Sequence, residues 1–224
     1  MARLPKGETT KLNYSIEARQ RICVGISWDA IEEDVERPEL YNRAPSEKEK
    51  DEGTGINPYG HDIDAEIGSI KETFDVDLIC LIFNADGELV DAVSPMDGEE
   101  VDQTGQIYHS GDERHGASIN EDEIISVELK GLADHVHHMV FLAIIQSGHD
   151  FSYIENPEFR VYDSKRNTDM LAEPISGPEA EGKTAYVLCR IFRGSEDWMI
   201  HHIGEFRVDT DVADWGAEVK PYLS

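Results

Sequence analysis

The sequence predicts an all-β protein: a two-sheet β-sandwich with short helices, one of them C-terminal. Three observations carry that prediction. Short runs of apolar and β-branched residues recur along the chain, turn-forming residues separate them, and few stretches have helical periodicity. Two runs, LICLIF and VFLAIIQ, are apolar on both faces, the pattern of central strands under covering layers.

The predicted strands are RICVGISW (21–28), FDVDLICLIF (74–83), GELVDAV (87–93), GQIYHS (105–110), EIISVELKGL (123–132), HHMVFLAIIQ (137–146), EFRVYDS (158–164), TAYVLCRIF (184–192) and DWMIHHIGEF (197–206). Asn84-Ala85-Asp86-Gly87, Ser147-Gly148-His149-Asp150, Asn156-Pro157 and Arg193-Gly194-Ser195 supply turns between them. GLADHVHH (131–138) has room for one helical turn. The tail TDVADWGAEVKPYL predicts a helix with Val212, Trp215 and Val219 on one face, weakened by Gly216.

Residues 30–73 differ in kind. They are charged, rich in Pro and Gly, and poor in β-branched residues, and SEKEKDEGTG within them has the composition of a mobile surface loop. A loop of about 40 residues is unusual inside a compact domain. The segment therefore reads as an insertion into a single domain spanning residues 1–224.

The net charge of −27 comes from 20 basic and 47 acidic residues. Such a field disfavours nucleic acid and anionic membrane as partners and favours cations or basic proteins. No apolar run approaches the ~20 residues of a membrane span, and the first residues lack the apolar core of a signal peptide. The expected compartment is the cytoplasm. Cys23, Cys80 and Cys189 each sit in an apolar strand-like run, as buried free thiols do.

The densest chemistry lies at 111–123, GDERHGASINEDE, where Asp112, Glu113, Glu121, Asp122 and Glu123 crowd a Gly-containing loop. Close carboxylates repel unless a cation is shared, and oxygen-only ligands suit Ca²⁺ before Mg²⁺. A solvated acidic turn is the other reading of the same residues. Phe74-Asp75-Val76-Asp77-Leu78 opens an apolar strand with two aspartates on one face, ~6.5–7 Å apart. These carboxylates either cap the strand toward solvent or join the acidic loop in holding a metal.

Other patterns carry less. Asp62-Ile63-Asp64-Ala65-Glu66 mimics the start of an EF-hand loop but lacks its Gly and its closing Glu, with Ile67 and Thr73 in those places. His135, His137, His138, His201 and His202 lack zinc-ligand spacing. No GxSxG, P-loop, GxGxxG or paired Cys–His motif occurs, so nothing supports an enzyme.

Taken in order, Lys6-Gly7, Val24-Gly25-Ile26-Ser27-Trp28-Asp29, FDVDL (74–78), HSGDERHG (109–116), NEDEIISVEL (120–129) and VFLAII (140–145) resemble the TerD family of tellurium-resistance and stress-response proteins. The C-terminal run TAYVLCRIFRGSEDWMIHHIG fits the same pattern. The likeness covers nearly all of the chain outside 30–73.

The resemblance implies a β-sandwich that binds Ca²⁺ through acidic loops. It also implies action in resistance to tellurite, colicins and phage. Position by position it assigns Asp75 and Asp77 to the F-D-L-D aspartates, Asp112 to the G-D-N aspartate, and Glu121, Asp122 and Glu123 to D-D-E. Glu113 stands where the family has Asn, and Asp97-Gly98-Glu99-Glu100 replaces a Tyr-Asn-Asn region.

The expected ligands are Asp75, Asp77, Asp112, Glu113, Glu121, Asp122 and Glu123, converging on one Ca²⁺ from two loops at one end of the sandwich. The expected function is that of a non-enzymatic stress-response protein. Its expected partners are proteins, other Ter-type chains among them, with neither nucleic acid nor membrane insertion. The alternative is an adaptor with a degenerate metal site that binds partners through the 30–73 insertion.

Overall fold

A computed structural model describes residues 4–14, 21–29, 74–95, 98–111, 121–209 and 212–224. The insertion at 30–73 lies outside the described residues, as do Asp112 and Glu113. Among the described residues the strands are β1 (Thr9–Lys11), β2 (Ile22–Ser27), β3 (Val76–Phe83), β4 (Leu89–Val93), β5 (Ile107–His109), β6 (Glu123–Val127), β7 (His138–Ile145), β8 (Glu158–Asp163), β9 (Thr168–Pro174), β10 (Ala185–Arg193) and β11 (Trp198–Arg207). One helix, α1 (Val212–Glu218), follows, with a 3₁₀ turn at Lys220–Leu223.

The strands form two antiparallel sheets. One has six strands in the order β1-β11-β10-β7-β3-β4; the other has five, in the order β5-β6-β2-β8-β9. This is the predicted sandwich. Its inner layer includes Leu78, Cys80, Met139 and Phe141 from the larger sheet, and Val24, Ile26, Ile125 and Phe159 from the smaller one. Burying each large apolar side chain of this kind contributes roughly 1.5–3 kcal/mol.

The outer face of the six-stranded sheet is also covered over part of its area. Ile79, Leu81, Val140, Leu142, Ile144, Val187 and Ile203 form a second core with Trp215 and Val219 from the C-terminal segment. That second layer explains why β3 and β7 are apolar on both faces. Trp215 and Val219 point inward as the tail's periodicity predicts. Gly216 lets the helix approach β4: a Cβ there would stand 3.2 Å from Leu89 Cδ2.

Two strands escape the sequence reading, β1 and β9. Both are edge strands. β1 is exposed throughout, and in β9 only Leu171 is fully buried, so neither carries an apolar pattern. The strand predicted at 123–132 ends at Val127. A 3₁₀ turn at Leu129–Gly131 follows, displacing the turn expected at 131–138. The Gln106 side chain packs over Gly131 there: a Cβ would fall 2.2 Å from Gln106 Oε1, and the glutamine would have to shift.

An irregularity at Leu188 reverses side-chain parity within β10. Val187 lies opposite Leu142 on the outer face, whereas Cys189 lies opposite Phe141 in the inner core. Tyr186 therefore packs between the sheets against Phe159 and Phe206, while Arg190 and Phe192 emerge on the outer face with Val140 and His138. All three cysteines are buried free thiols, as expected. Burial raises the Cys23, Cys80 and Cys189 pKa values, which keeps these thiols protonated and unreactive. No helix among the described residues is long and apolar enough to cross a membrane.

Candidate functional site

Antiparallel pairing brings three strand ends together. Ile26, near the end of β2, lies opposite Glu123 at the start of β6. The start of β3 joins them across the sandwich, because the Leu78 N–H donates to Glu123 Oε2 at 2.6 Å. Asp75, Asp77, Glu121, Asp122 and Glu123 thus stand at one end of the sandwich. Gly111 and Glu121, the described residues that flank 112–120, also lie at this end. The flanks are tied there, since the Ser110 N–H donates to the Ile124 carbonyl at 2.8 Å.

The carboxylates then part. Glu123 turns inward and is fully buried. His109 Nε2 lies 3.2 Å from the Glu123 oxygen that Leu78 also uses. The Gly111 N–H donates to His109 Nδ1 at 3.1 Å, which assigns the ring proton of a neutral imidazole to Nε2, facing the carboxylate. His109 therefore links the start of the acidic loop to β6 and, through Glu123, to β3.

Glu121 faces the other way, over the outer surface of the five-stranded sheet. Its Oε1 pairs with Arg160 Nη1 at 2.9 Å, and Arg160 also pairs with Asp169 at 2.6 Å. Gly25 makes room for it: a Cβ at that position would stand 2.5 Å from Glu121 Cγ. Asp122 sits at the rim and holds the exit of β2. Its N–H donates to the Ile26 carbonyl at 2.8 Å, and its Oδ2 accepts the Trp28 N–H at 2.9 Å. Asp29 is held nearby by Asn156 Nδ2 at 2.7 Å, from a loop whose Asn156 has a φ of 47°.

Asp77 is buried and lies opposite Ile144, a residue of the outer core. The register therefore places it on the α1 side of its sheet, away from the inward-turned Glu123. Among the described residues, no three Asp, Glu, His or Cys side chains gather closely enough to hold a metal ion. Asp75 and Asp77 share a strand start, Glu121 and Glu123 diverge to opposite faces, and Asp122 caps a strand end.

Sequence reasoning overlooked His109 and Arg160. The position of His109, alternating with buried Ile107 just before the acidic loop, was an available signal. No local pattern announces the Arg160–Glu121 pair, which joins strands far apart in sequence.

Acids elsewhere serve the backbone. Asp102 accepts N–H bonds from Thr104, Gln106 and Ile107 at 2.7–3.0 Å. Asp150 accepts from Ser152 and Gly182, and these bonds hold its pKa below the usual carboxylate value against the opposing effect of burial. Part of the acidic surplus thus satisfies turns.

The family model of the TerD domain matches residues 1–211. The chain is 24% identical over 220 residues to the tellurium resistance protein TerX of Serratia marcescens, covering 90% of this chain and 91% of that protein. It is 27% identical over 114 residues to the stress response protein SCP2 of Bacillus subtilis, covering 49% and 57% respectively. Among solved structures, it resembles a homologue of the telluride resistance protein TerD from Streptomyces coelicolor A3(2). That match has a TM-score of 0.58 at 18% identity, over 88% of this chain and 95% of the other. The two-sheet fold, the ordered motifs and the extent of the match lead to one conclusion: the chain belongs to the TerD domain family.

Proposed function

We propose that this chain is a non-enzymatic, Ca²⁺-binding domain of the tellurium-resistance and stress-response type, acting in the cytoplasm through protein partners. The observation that carries the reading is the meeting of acidic strand ends at one end of the sandwich, where the described residues flanking the stretch with Asp112 and Glu113 also lie. The donors are carboxylate oxygens, the chemistry a hard cation selects. Asp75 and Asp77 would hold the ion with Asp112 and Glu113, and the ion would neutralise their mutual repulsion. Bound there, it would tie β3 to the acidic loop and present one rigid surface to a partner.

The test is calorimetric titration of the chelator-treated full chain with Ca²⁺. Saturable binding that Asp77→Asn and Asp112→Asn each weaken supports the reading. Heats no larger than those of dilution would sink it.

A second reading, an adaptor with a degenerate metal site and partner binding through 30–73, is favoured by a different observation. Glu121 is engaged by Arg160, while Glu123 and Asp122 are engaged by backbone N–H groups. On that reading Ca²⁺ gives no signal, and deletion of residues 43–55 removes partner capture while the fold survives.

A further inference from the structure

Arg190 is a cation buried in a protein of net charge −27, yet no Asp or Glu side chain among the described residues pairs with it. It is 5% exposed and its Nε has no hydrogen-bond partner. Its guanidinium carbon lies 3.9 Å from the centroid of the Phe192 ring, and Nη1 reaches only the Ser224 backbone oxygen at 3.5 Å. Stacking on a ring compensates part of the lost hydration but neutralises no charge.

Its neighbours are also basic. His201 lies directly opposite Arg190 on β11, and its Nδ1 is 2.8 Å from Thr9 Oγ1. His138 stacks on the same Phe192 ring, with centroids 6.1 Å apart, and its buried Nδ1 has no partner either. Among the described residues, the side chains around them offer no compensating charge. β7 contributes His137, β11 contributes His202, and Lys11 of β1 already pairs with Asp197 at 2.5 Å. Helix α1 and its core partners cover a different part of this face.

We propose that Arg190, His138 and His201 form a site for a small inorganic oxyanion on the outer face of the six-stranded sheet. His138 pairs with Phe83 at the far end of β3 from Asp77, so the site is separate from the acidic end and does not depend on Ca²⁺. A planar guanidinium presents paired N–H donors that match two oxygens of such an anion, and imidazole N–H groups can supply further donors. Without an anion, burial and then the charge of Arg190 lower both histidine pKa values, to about 4 for His138. A bound anion opposes both effects, so binding takes up protons and strengthens as pH falls.

The test uses the full chain in Ca²⁺-free buffer at constant ionic strength, titrated with inorganic phosphate while the histidine ring signals are followed by NMR. Saturable shifts of His138 and His201 are expected, with higher titration midpoints for both in phosphate and weaker binding at pH 8 than at pH 6. Arg190→Gln should weaken binding by about tenfold or more, the loss expected for charge-assisted bonds. Arg190→Lys should weaken it less. Should Arg190→Gln fail to fold, His201→Gln serves, with a smaller loss and a shallower pH dependence. Non-saturating shifts, an equal response to chloride, or unchanged affinity in the folded variants would overturn the site.

Discussion

Glu123 of one sheet accepts the backbone N–H of Leu78 in the other at 2.6 Å, with its side chain wholly buried. The bond fixes the approach of β3 and β6 at the end where the acidic residues collect. It also gives a carboxylate of the family's acidic motif a structural duty.

Glu123→Ala should therefore destabilise the fold, because it leaves the Leu78 N–H and His109 buried without their acceptor. Each buried group so orphaned costs about 1–3 kcal/mol. Glu123→Gln keeps an acceptor oxygen and should cost less. Urea denaturation of the three proteins checks the order; equal midpoints would show that the bond is dispensable.

Gly25 and Glu121 should be coupled. Gly25→Ala forces its Cβ into the Glu121 side chain and dislodges the Arg160 ion pair, a clash worth about 1–3 kcal/mol. Glu121→Ala alone removes the buried partner of a half-buried Arg160, which keeps Asp169, and should cost about 1–3 kcal/mol. The double variant should be more stable than the sum of the two losses, and a double-mutant cycle reads that difference directly. Strict additivity would contradict the packing described.

Calcium should raise the melting temperature by mass action, adding about 2.7 kcal/mol at a hundredfold excess over the dissociation constant. Asp77→Asn should remove much of that gain and make the chelated protein no less stable. Differential scanning calorimetry with and without chelator measures both. A calcium-independent transition in the unmodified chain would argue for the degenerate-site reading.

His138 sets a pH dependence of stability in anion-free buffer. Burial first, then the charges of Arg190 and His137, lower its pKa from 6.5 to about 4. Above pH 6.5 the ring is neutral in both folded and unfolded chains, and its contribution is complete. Between 6.5 and about 4 the unfolded chain takes up the proton and the folded chain resists it, so stability falls as pH falls. His138→Gln should lose less stability between pH 7 and pH 4.5 than the unmodified chain, as compared by urea midpoints at the two pH values.

Much of the fold could be read from the residues because apolar patterning and burial are one property here. LICLIF and VFLAIIQ became β3 and β7, buried on both faces, and Trp215 and Val219 supplied the second covering layer. β1 and β9 could not be read, since an edge strand is held by backbone bonds on one side and needs little apolar surface. The candidate site was legible as a set of residue types. Its arrangement was not, because carboxylates two apart in a strand share a face while that face itself is chosen by register.

Composition and motif order by themselves determined the all-β class, the thiol character of the cysteines, the C-terminal helix and membership of the family. Tertiary structure alone decided where the charges point. Pairing of β2 with β6 and the Leu78–Glu123 bond placed the acids at one end; Glu123 enters the core as the first residue of β6, and Glu121, which precedes the strand, reaches Arg160 instead. The irregularity at Leu188 turned Arg190 outward beside His138 and His201; unbroken alternation would have put it on the same face as Tyr186. The physical reason is common to all three. A strand's sequence specifies which residues alternate, but only its hydrogen-bonded neighbours specify the register, and register determines what each side chain meets.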